Sequence, residues 1–157
     1  MTADVLLVPV DLAGPTRAVV EMAVNLARAL DCVVALLHVV HLPVGVPPAG
    51  ALPIGMIDTE TALSVLDQEA GNHLNQLAGA FSKAGVPVSH LIRHGEPADT
   101  IMAVAEEIGA RHIVMGTHGR RGLERALMGS VAERVMRRAG CPLTIVRVPA
   151  SEAAGEG

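Results

Sequence analysis

Five short apolar runs alternate with four longer segments of helical periodicity along this chain of 157 residues. Runs that are apolar throughout are typical of strands buried on both faces of a parallel sheet. We therefore predict strands at 5–10, 33–40, 86–93, 111–115 and 143–148. We predict four helices. The first is 15–30, with Pro15 in its first turn, and the second is 59–84. The third begins at 95–97 and ends at Gly109, and the fourth is 130–139, with Gly140 as its stop. This order predicts an α/β fold, a doubly wound five-stranded parallel sheet with helices on both faces.

Three positions fall where such a sheet binds ligands. In doubly wound sheets, ligands bind beyond the carboxyl ends of the strands, near the point where the strand order reverses. Asp11 follows the first predicted strand, Val39 lies at the end of the second, and Gly116 follows the apolar core of the fourth. We expect these residues to lie at the same edge of the sheet.

A glycine pattern follows the fourth strand: Gly116-Thr117-His118-Gly119, nine further residues, then Gly129-Ser130. Small residues let backbone N–H groups converge on an anion, and a helix start adds free donors and the positive end of its dipole. The pattern is not a P-loop, because no Gly-Lys-Ser/Thr follows and no lysine occurs after Lys83. The dinucleotide fingerprint and the hydrolase elbow are also absent. It predicts an anion-binding loop; the alternative is that these glycines serve only a tight turn and close helix packing.

Ser130 has two compatible interpretations. Ser130-Val131-Ala132-Glu133 reads as a capping box, in which the serine hydroxyl and the glutamate satisfy the first N–H groups of the helix. The same position would place a hydroxyl and free donors beside a phosphate. Three arginines in the loop are candidates for screening phosphate charge, although exposed solubilising arginines explain at least two of them: Arg120, Arg121 and Arg125.

Asp11 and the histidines also carry alternatives. The Asp11 carboxylate would accept from a ribose hydroxyl or hold a divalent cation that bridges phosphates, or else it caps the following helix. His38 and His41 are expected on opposite faces of their strand, which disfavours a metal site. His118 lies within the glycine loop, where it would contact the ligand.

Composition removes several classes of function. Phe81 is the only aromatic residue and the net charge is −4, which disfavours binding to single-stranded nucleic acid and to DNA. From Arg111 onward, eight arginines face four glutamates, whereas residues 1–110 carry four basic and twelve acidic residues. The basic part of the chain therefore contains the glycine pattern, as a site for an anionic ligand would; arginines on a solvated helix are the alternative.

The remaining sequence features concern organisation. Two distant cysteines, Cys32 and Cys141, predict reduced thiols in a cytosolic protein. No apolar run approaches the length of a membrane span and no leader precedes the first strand. We expect a single domain at 1–149 and a flexible tail at 150–157. The proline- and glycine-rich stretch 42–55 predicts a partly packed loop, which would serve as a lid or a subunit contact.

Several of these segments together resemble the universal stress protein family, over nearly the whole chain from Asp4 to Arg147. The most specific are in the C-terminal third, and the full set is Val8-Pro9-Val10-Asp11, Leu36-Leu37-His38-Val39, Gly95-x-Pro97, Ile113 to Gly122, Gly129-Ser130-Val131-Ala132 and Cys141 to Val146. The chain departs from the family after the first strand, where Asp11-Leu12-Ala13 replaces the usual Asp-Gly-Ser or Asp-x-Ser. A capping hydroxyl is thereby displaced to Thr16.

The resemblance implies a sheet of order 3-2-1-4-5, as in adenine nucleotide alpha-hydrolases, and a homodimer that pairs through Leu143–Val148. It also implies that the chain belongs to the branch of the family that binds ATP. A further expectation is that Asp11 holds a Mg²⁺ ion bound to the ATP. Gly116, Gly119, Gly129 and Ser130 would then contact ribose and phosphates. The adenosine half would be lined by Pro9, Val10, Asp11 and the backbone of Val39, with Met115, His118, Arg120 and Val131 beside the signature.

The resulting hypothesis is a cytoplasmic, ATP-binding module that responds to nucleotide in a stress response. The chain lacks a P-loop lysine and an evident general base beside the pattern, which disfavours fast hydrolysis. The alternatives are a slow ATPase or nucleotide-dependent transferase that uses the same site, and an interaction protein that binds no nucleotide. No nucleic-acid or membrane partner is expected.

Overall fold

A computed structural model describes residues 3–41, 59–117 and 128–148 of the chain. In chain order the elements are β1 (Val5–Pro9), α1 (Arg17–Leu30), β2 (Val33–Val40), α2 (Thr59–Lys83), β3 (Val88–His94), α3 (Pro97–Glu107), β4 (Ala110–Gly116), α4 (Ser130–Arg138) and β5 (Leu143–Val146). All strand pairs are parallel, and the order is β3-β2-β1-β4-β5. The predicted α/β fold, with its five-stranded parallel sheet, is confirmed.

The sheet separates two apolar cores. Side chains of successive strand residues point to opposite faces, so Leu6 and Val8 face one core and Leu7 faces the other. Helices α1 and α2 cover the first core, which contains the single aromatic ring, and α3 and α4 cover the second. Burial on both faces explains why β1 and β2 read as continuous apolar runs rather than as alternating patterns.

Helix ends follow the sequence only in part. Gly85 and Gly109 adopt φ angles of +73° and +60°, the left-handed conformation that ends a helix without strain. Two predicted boundaries were wrong, at the start of α1 and at the end of α4. Pro15 is not in the first turn, because α1 begins at Arg17, and Gly140 is not the stop of α4, because the backbone already becomes extended at Ala139.

Strands β1 and β4 separate at the carboxyl edge of the sheet. Their pairing ends at Leu7–Ile113, although β4 continues to Gly116. The Val10 N–H faces β2, where it donates to Leu37. Since N–H groups alternate sides along a strand, the Pro9 position faces β4, and proline has no N–H to continue that ladder. The strand order reverses at this pair, which is where doubly wound sheets bind ligands.

Some predicted features lie outside the described residues, namely the stretch 42–55, the tail 150–157 and the greater part of the glycine loop. No helix within the described parts of the chain is long and apolar enough to cross a membrane. Both cysteines are free, and burial raises the pKa of each thiol. The division into one domain and a tail stays a prediction.

Candidate functional site

The two ends of the glycine loop meet at the carboxyl end of β4. The Gly129 N–H donates to the Thr117 carbonyl across 2.6 Å, and the Thr117 N–H donates to Val146 at 3.0 Å. The loop therefore departs from and returns to one point beside β5. His118, Gly119 and Arg120, with Arg121 and Arg125, lie outside the described residues.

Helix α4 begins without a side-chain cap. Gly129 is the N-cap and has no side chain to offer, and Ser130 is already the first helical residue. The predicted capping box is therefore wrong: the Ser130 hydroxyl cannot occupy the N-cap, and Glu133 instead pairs with Arg137 at 2.8 Å. The first intrahelical bond runs from the Glu133 N–H to Gly129, so the donors of the first turn have no partner within the helix. Such a helix start is suited to an anion.

Asp11 follows β1 and shapes the turn after it. Its carboxylate accepts from the Ala13 N–H at 3.1 Å, and its carbonyl accepts from Gly14. The interpretation of Asp11 as the cap of α1 is wrong, because Thr16 is the N-cap, and the Thr16 side chain makes no capping hydrogen bond either. An aspartate that bonds two residues ahead forms an Asx turn. This turn holds the carboxylate at the carboxyl edge of the sheet.

Val39 presents backbone groups to the gap beside β1. Val33 donates to Asp4 and Leu37 accepts from Val10, so the odd-numbered residues of β2 direct their N–H and carbonyl groups toward β1. Val39 is the next residue of this set and lies beyond the last pair of the two strands, Pro9–Leu37. Its donor and acceptor therefore point to the place where β1 turns away.

The two histidines of this region bind different carbonyl groups. The Nδ1 atom of His38 lies 3.1 Å from the Val10 oxygen, and that of His41 lies 3.1 Å from the Gly95 oxygen. Among residues 3–41, 59–117 and 128–148, no three His, Cys, Asp or Glu side chains form a metal-binding group. The sequence prediction considered His38 only as a metal ligand and missed its contact with Val10. A polar residue opposite a predicted strand end was the available signal.

Several arginines of the basic C-terminal part pair with acids. Arg134 contacts Glu96 at 2.7 Å, and Arg138 contacts Asp99. The hydrogen bond from Arg138 lowers the pKa of Asp99. Arg111 also forms an ion pair, with Asp4. These three arginines therefore pair within the protein, two of them between α3 and α4, and the basic charge of this part of the chain is weaker support for an anionic ligand than the composition suggested.

The structure brings most of the predicted site residues to one edge of the sheet. They lie at the carboxyl ends of β1, β2 and β4 and at the start of α4: Pro9, Val10, Asp11, Val39, Met115, Gly116, Gly129, Ser130 and Val131. Met115 is 6% exposed, with its side chain in the core under α3 and α4, so only its backbone is available to a ligand.

A cavity of about 610 Å³ lies at the opposite edge, between α3 and the residues before β5. Gly109 and Ala110 mark its place at the amino end of β4, and Arg138 and Cys141 also line it. Ligands of doubly wound sheets bind at the carboxyl ends of the strands, whereas this cavity lies along α3 and reaches the amino end of β4. We therefore assign the candidate site to the β1–β4 gap rather than to this cavity.

The chain is similar to known proteins over nearly its whole length. The family model described as "Universal stress protein family" matches residues 3–147. The chain is 34% identical to universal stress protein MJ0531 of Methanocaldococcus jannaschii over 149 residues, which cover 94% of this chain and 84% of that protein.

Solved structures are similar as well. The structure of protein MJ0577 of the same archaeon has a TM-score of 0.77 at 24% identity and covers 95% of this chain and 99% of that one. A universal stress protein of Archaeoglobus fulgidus in complex with dAMP has a TM-score of 0.62 at 25% identity, covering 93% of this chain and 99% of its own.

Proposed function

The chain belongs to the universal stress protein family, and from that premise we propose that it binds an adenine nucleotide, ATP in particular, in the β1–β4 gap. The observation that carries the proposal is the uncapped start of α4 beside the β4–β5 edge. Helix donors without a partner inside the helix are suited to phosphate oxygens. The complex of the related A. fulgidus protein with dAMP supports the choice of an adenine nucleotide.

The phosphate half of the proposed site is the glycine pattern. The N–H groups of Ser130 and Val131 belong to the first turn of α4, and the Ser130 side chain is exposed beside them. The bond between Gly129 and Thr117 holds this helix start against the end of β4. We assign ribose and phosphate contacts to Gly116, Gly119, Gly129 and Ser130, with His118 and Arg120 beside them.

The adenosine half consists of the ends of β1 and β2. Val10 is buried, Asp11 carries a carboxylate at the edge, and Val39 directs its N–H and carbonyl into the gap. A backbone donor beside a backbone acceptor matches the N1 and N6 atoms of adenine. The Asp11 carboxylate is suited to a ribose hydroxyl, and it would also hold Mg²⁺ when phosphates supply further oxygen ligands.

We further propose that the bound nucleotide acts as a signal rather than as a rapidly consumed substrate. Fast phosphoryl transfer needs a cation clamp and a positioned base or water, and the chain has no lysine after Lys83. The proposal also includes a cytoplasmic location and a homodimer that pairs through Leu143–Val148. A slow ATPase or transferase that uses Asp11 and Mg²⁺ is the alternative outcome of the test below.

Isothermal titration with ATP and Mg²⁺ tests the binding. We expect saturable one-to-one heat from the parent protein and none from Gly119→Val. Gly79→Val is the matched control, because a Cβ atom at Gly79 meets nothing within 4 Å, and it should bind as the parent does. Mass spectrometry of the nucleotide released on denaturation identifies a ligand that copurifies. A parent protein that gives no heat and releases no nucleotide would overturn the proposal.

Phosphate release over hours separates the two roles. A regulatory module should release far less than one phosphate per protein per minute. If the parent protein sustains turnover well above that rate and Asp11→Asn abolishes it, the protein is an enzyme that consumes the nucleotide rather than a module that responds to it.

A further inference from the structure

The side chain of His38 completes a hydrogen bond that the backbone of the sheet would ordinarily make. In the β1–β2 ladder, the Val10 N–H donates to Leu37 at 2.9 Å. A parallel ladder continues from that bond by a return bond from the residue two positions on, here the Val39 N–H, to the Val10 carbonyl. The partner that the structure gives to this carbonyl is instead the ring of His38, at 3.1 Å.

The backbone N–H of Val39 therefore does not bond to the Val10 carbonyl. The even-numbered residues of β2 serve β3, as the bond from the Val34 N–H to Pro87 and the bond from the Gly95 N–H to Val40 both indicate. Val39 faces the other way, toward β1, and its N–H has no hydrogen-bond partner within the described parts of the chain. An unpaired N–H in a half-buried strand is costly unless a ligand or water satisfies it.

The contact also fixes the state of the ring. A carbonyl oxygen only accepts, so Nδ1 of His38 carries a proton and donates. The neutral ring is therefore the Nδ1–H tautomer. The bond spans 28 residues of sequence, and the side chain is partly buried, so the ring is held between two strands of the central sheet.

We propose that His38 is a positioning residue for base recognition: its ring occupies the Val10 carbonyl and so keeps the Val39 N–H available to a nucleobase. The inference rests on the proposed function and adds the residue that sets its base preference. With the ribose at a fixed place, the Val39 N–H meets the acceptor N1 of adenine. Guanine presents its donor and acceptor in the opposite order along that edge, so the free N–H favours adenine.

Two substitutions separate this role from simple packing. His38→Leu removes the ring donor, so the Val10 carbonyl is free to take the Val39 N–H and close the ladder. His38→Asn keeps a donor, because its amide nitrogen reaches about the position of Nδ1. His90→Leu, an exposed histidine on β3, is the control for loss of a histidine elsewhere.

Titration with ATP and GTP measures the base preference. We expect His38→Leu to bind ATP about tenfold more weakly, the scale of one lost hydrogen bond. The affinity for GTP should stay unchanged, so the ratio of the two affinities falls. His38→Asn and His90→Leu should keep the parent ratio. An unchanged ratio in His38→Leu, or equal loss of both nucleotides, would overturn the inference.

A measurement without nucleotide keeps the inference separate from the proposed function. In the free parent protein, NMR should show the Nδ1–H tautomer of His38 and fast hydrogen exchange at the Val39 amide relative to Leu37. In His38→Leu, the Val39 amide should exchange at least about tenfold more slowly, because it gains the Val10 carbonyl. A protected Val39 amide in the parent overturns the role of His38, whereas a parent that shows the exchange pattern but binds no nucleotide overturns only the proposed function.

Discussion

The N–H of Gly129 donates to the carbonyl of Thr117 across 2.6 Å, which joins the residue before α4 to the residue after β4. This bond sets the start of the helix against the sheet edge without using a side chain. The helix donors and the strand end thus keep a fixed relation to each other. Changes at Gly129 therefore test the site directly.

Substitutions that cap α4 at Gly129 should stabilise the protein, and a negatively charged cap should also weaken ATP binding. Its backbone is extended (φ −60°, ψ 155°), which any residue adopts, so asparagine or aspartate would cap α4. Either cap should raise the free energy of unfolding of the nucleotide-free protein by a few tenths of a kcal/mol. Only Gly129→Asp adds a negative charge, so we expect its ATP affinity to fall about tenfold below that of Gly129→Asn. Thermal unfolding and calorimetry check both effects; equal ATP affinities in the parent and both variants would contradict a phosphate site.

Gly95→Ala should destabilise the protein. Gly95 has a φ of +143°, and an added Cβ would lie 2.7 Å from Thr100 Oγ1. Its N–H and carbonyl also connect the end of β2 to the start of α3, through Val40 and His41. We expect a loss of about 1–3 kcal/mol in the free energy of unfolding, measured by urea denaturation. Gly79→Ala, where a Cβ meets open space within a helix, should instead raise it by up to about 1 kcal/mol. Losses of equal size in both variants would contradict the strain at Gly95.

His112 should make the protein sensitive to mild acid. Burial lowers its pKa, and its Nε2 atom contacts Thr144 Oγ1 at 2.8 Å between β4 and β5. The unfolded chain therefore binds a proton more readily than the folded one. The contribution of neutral His112 is complete above about pH 6.5 and is lost as the pH falls from there through the lowered pKa of the folded state. Urea unfolding at about pH 7.5 and about pH 5.5 should show a smaller stability loss in His112→Gln than in the parent; equal losses would exclude this histidine as a cause.

The edge of β5 should carry the proposed homodimer. Ile113 donates to Pro142 and Thr117 donates to Val146, so the even-numbered residues of this strand region serve β4. The N–H of Arg147, an exposed residue, is therefore directed to the free edge. Arg147→Pro removes that donor without breaking a bond to β4 and should weaken dimerisation by about tenfold or more. Arg147→Ala is the control. Analytical ultracentrifugation measures the dimer, and an Arg147→Pro protein that dimerises as Arg147→Ala does would place the interface elsewhere.

The strands were predictable because a strand that is buried on both faces of the sheet consists almost entirely of apolar residues. The bounds of β2 agree at both ends with the prediction, 33–40. The end of β1 differs from the prediction, 5–10, because of the hydrogen bonds at Val10. The Val10 N–H still bonds to β2, but its carbonyl is taken by a side chain, so β1 ends one residue early. Such a competition between ring and backbone is decided by a residue 28 positions away.

The convergence of the candidate residues at one edge of the sheet was predictable, but their local contacts were not. Gly116 and Gly129 lie together at the end of β4, as the sequence predicted, because the Gly129 N–H bonds to Thr117. The pattern Ser130-x-x-Glu133 suggested a capping box, yet Gly129 holds the cap position and Arg137 takes the glutamate. Charge counting likewise missed the pairing of Arg134 with Glu96, which lies 38 residues earlier. Contacts of this range are set by the packing of α3 against α4, which no local pattern encodes.

The central position of β1 has a consequence for synthesis. The strand is made before both of its partners: β2 follows within a few tens of residues, but β4 begins only at Ala110. While the chain emerges, the half-sheet of β1, β2 and β3 can form with one long edge of β1 unpaired and apolar. Exposed strand edges recruit other chains. Nascent or truncated chains that end before β4 should therefore aggregate through the same edge that, in the finished protein, borders the proposed nucleotide site.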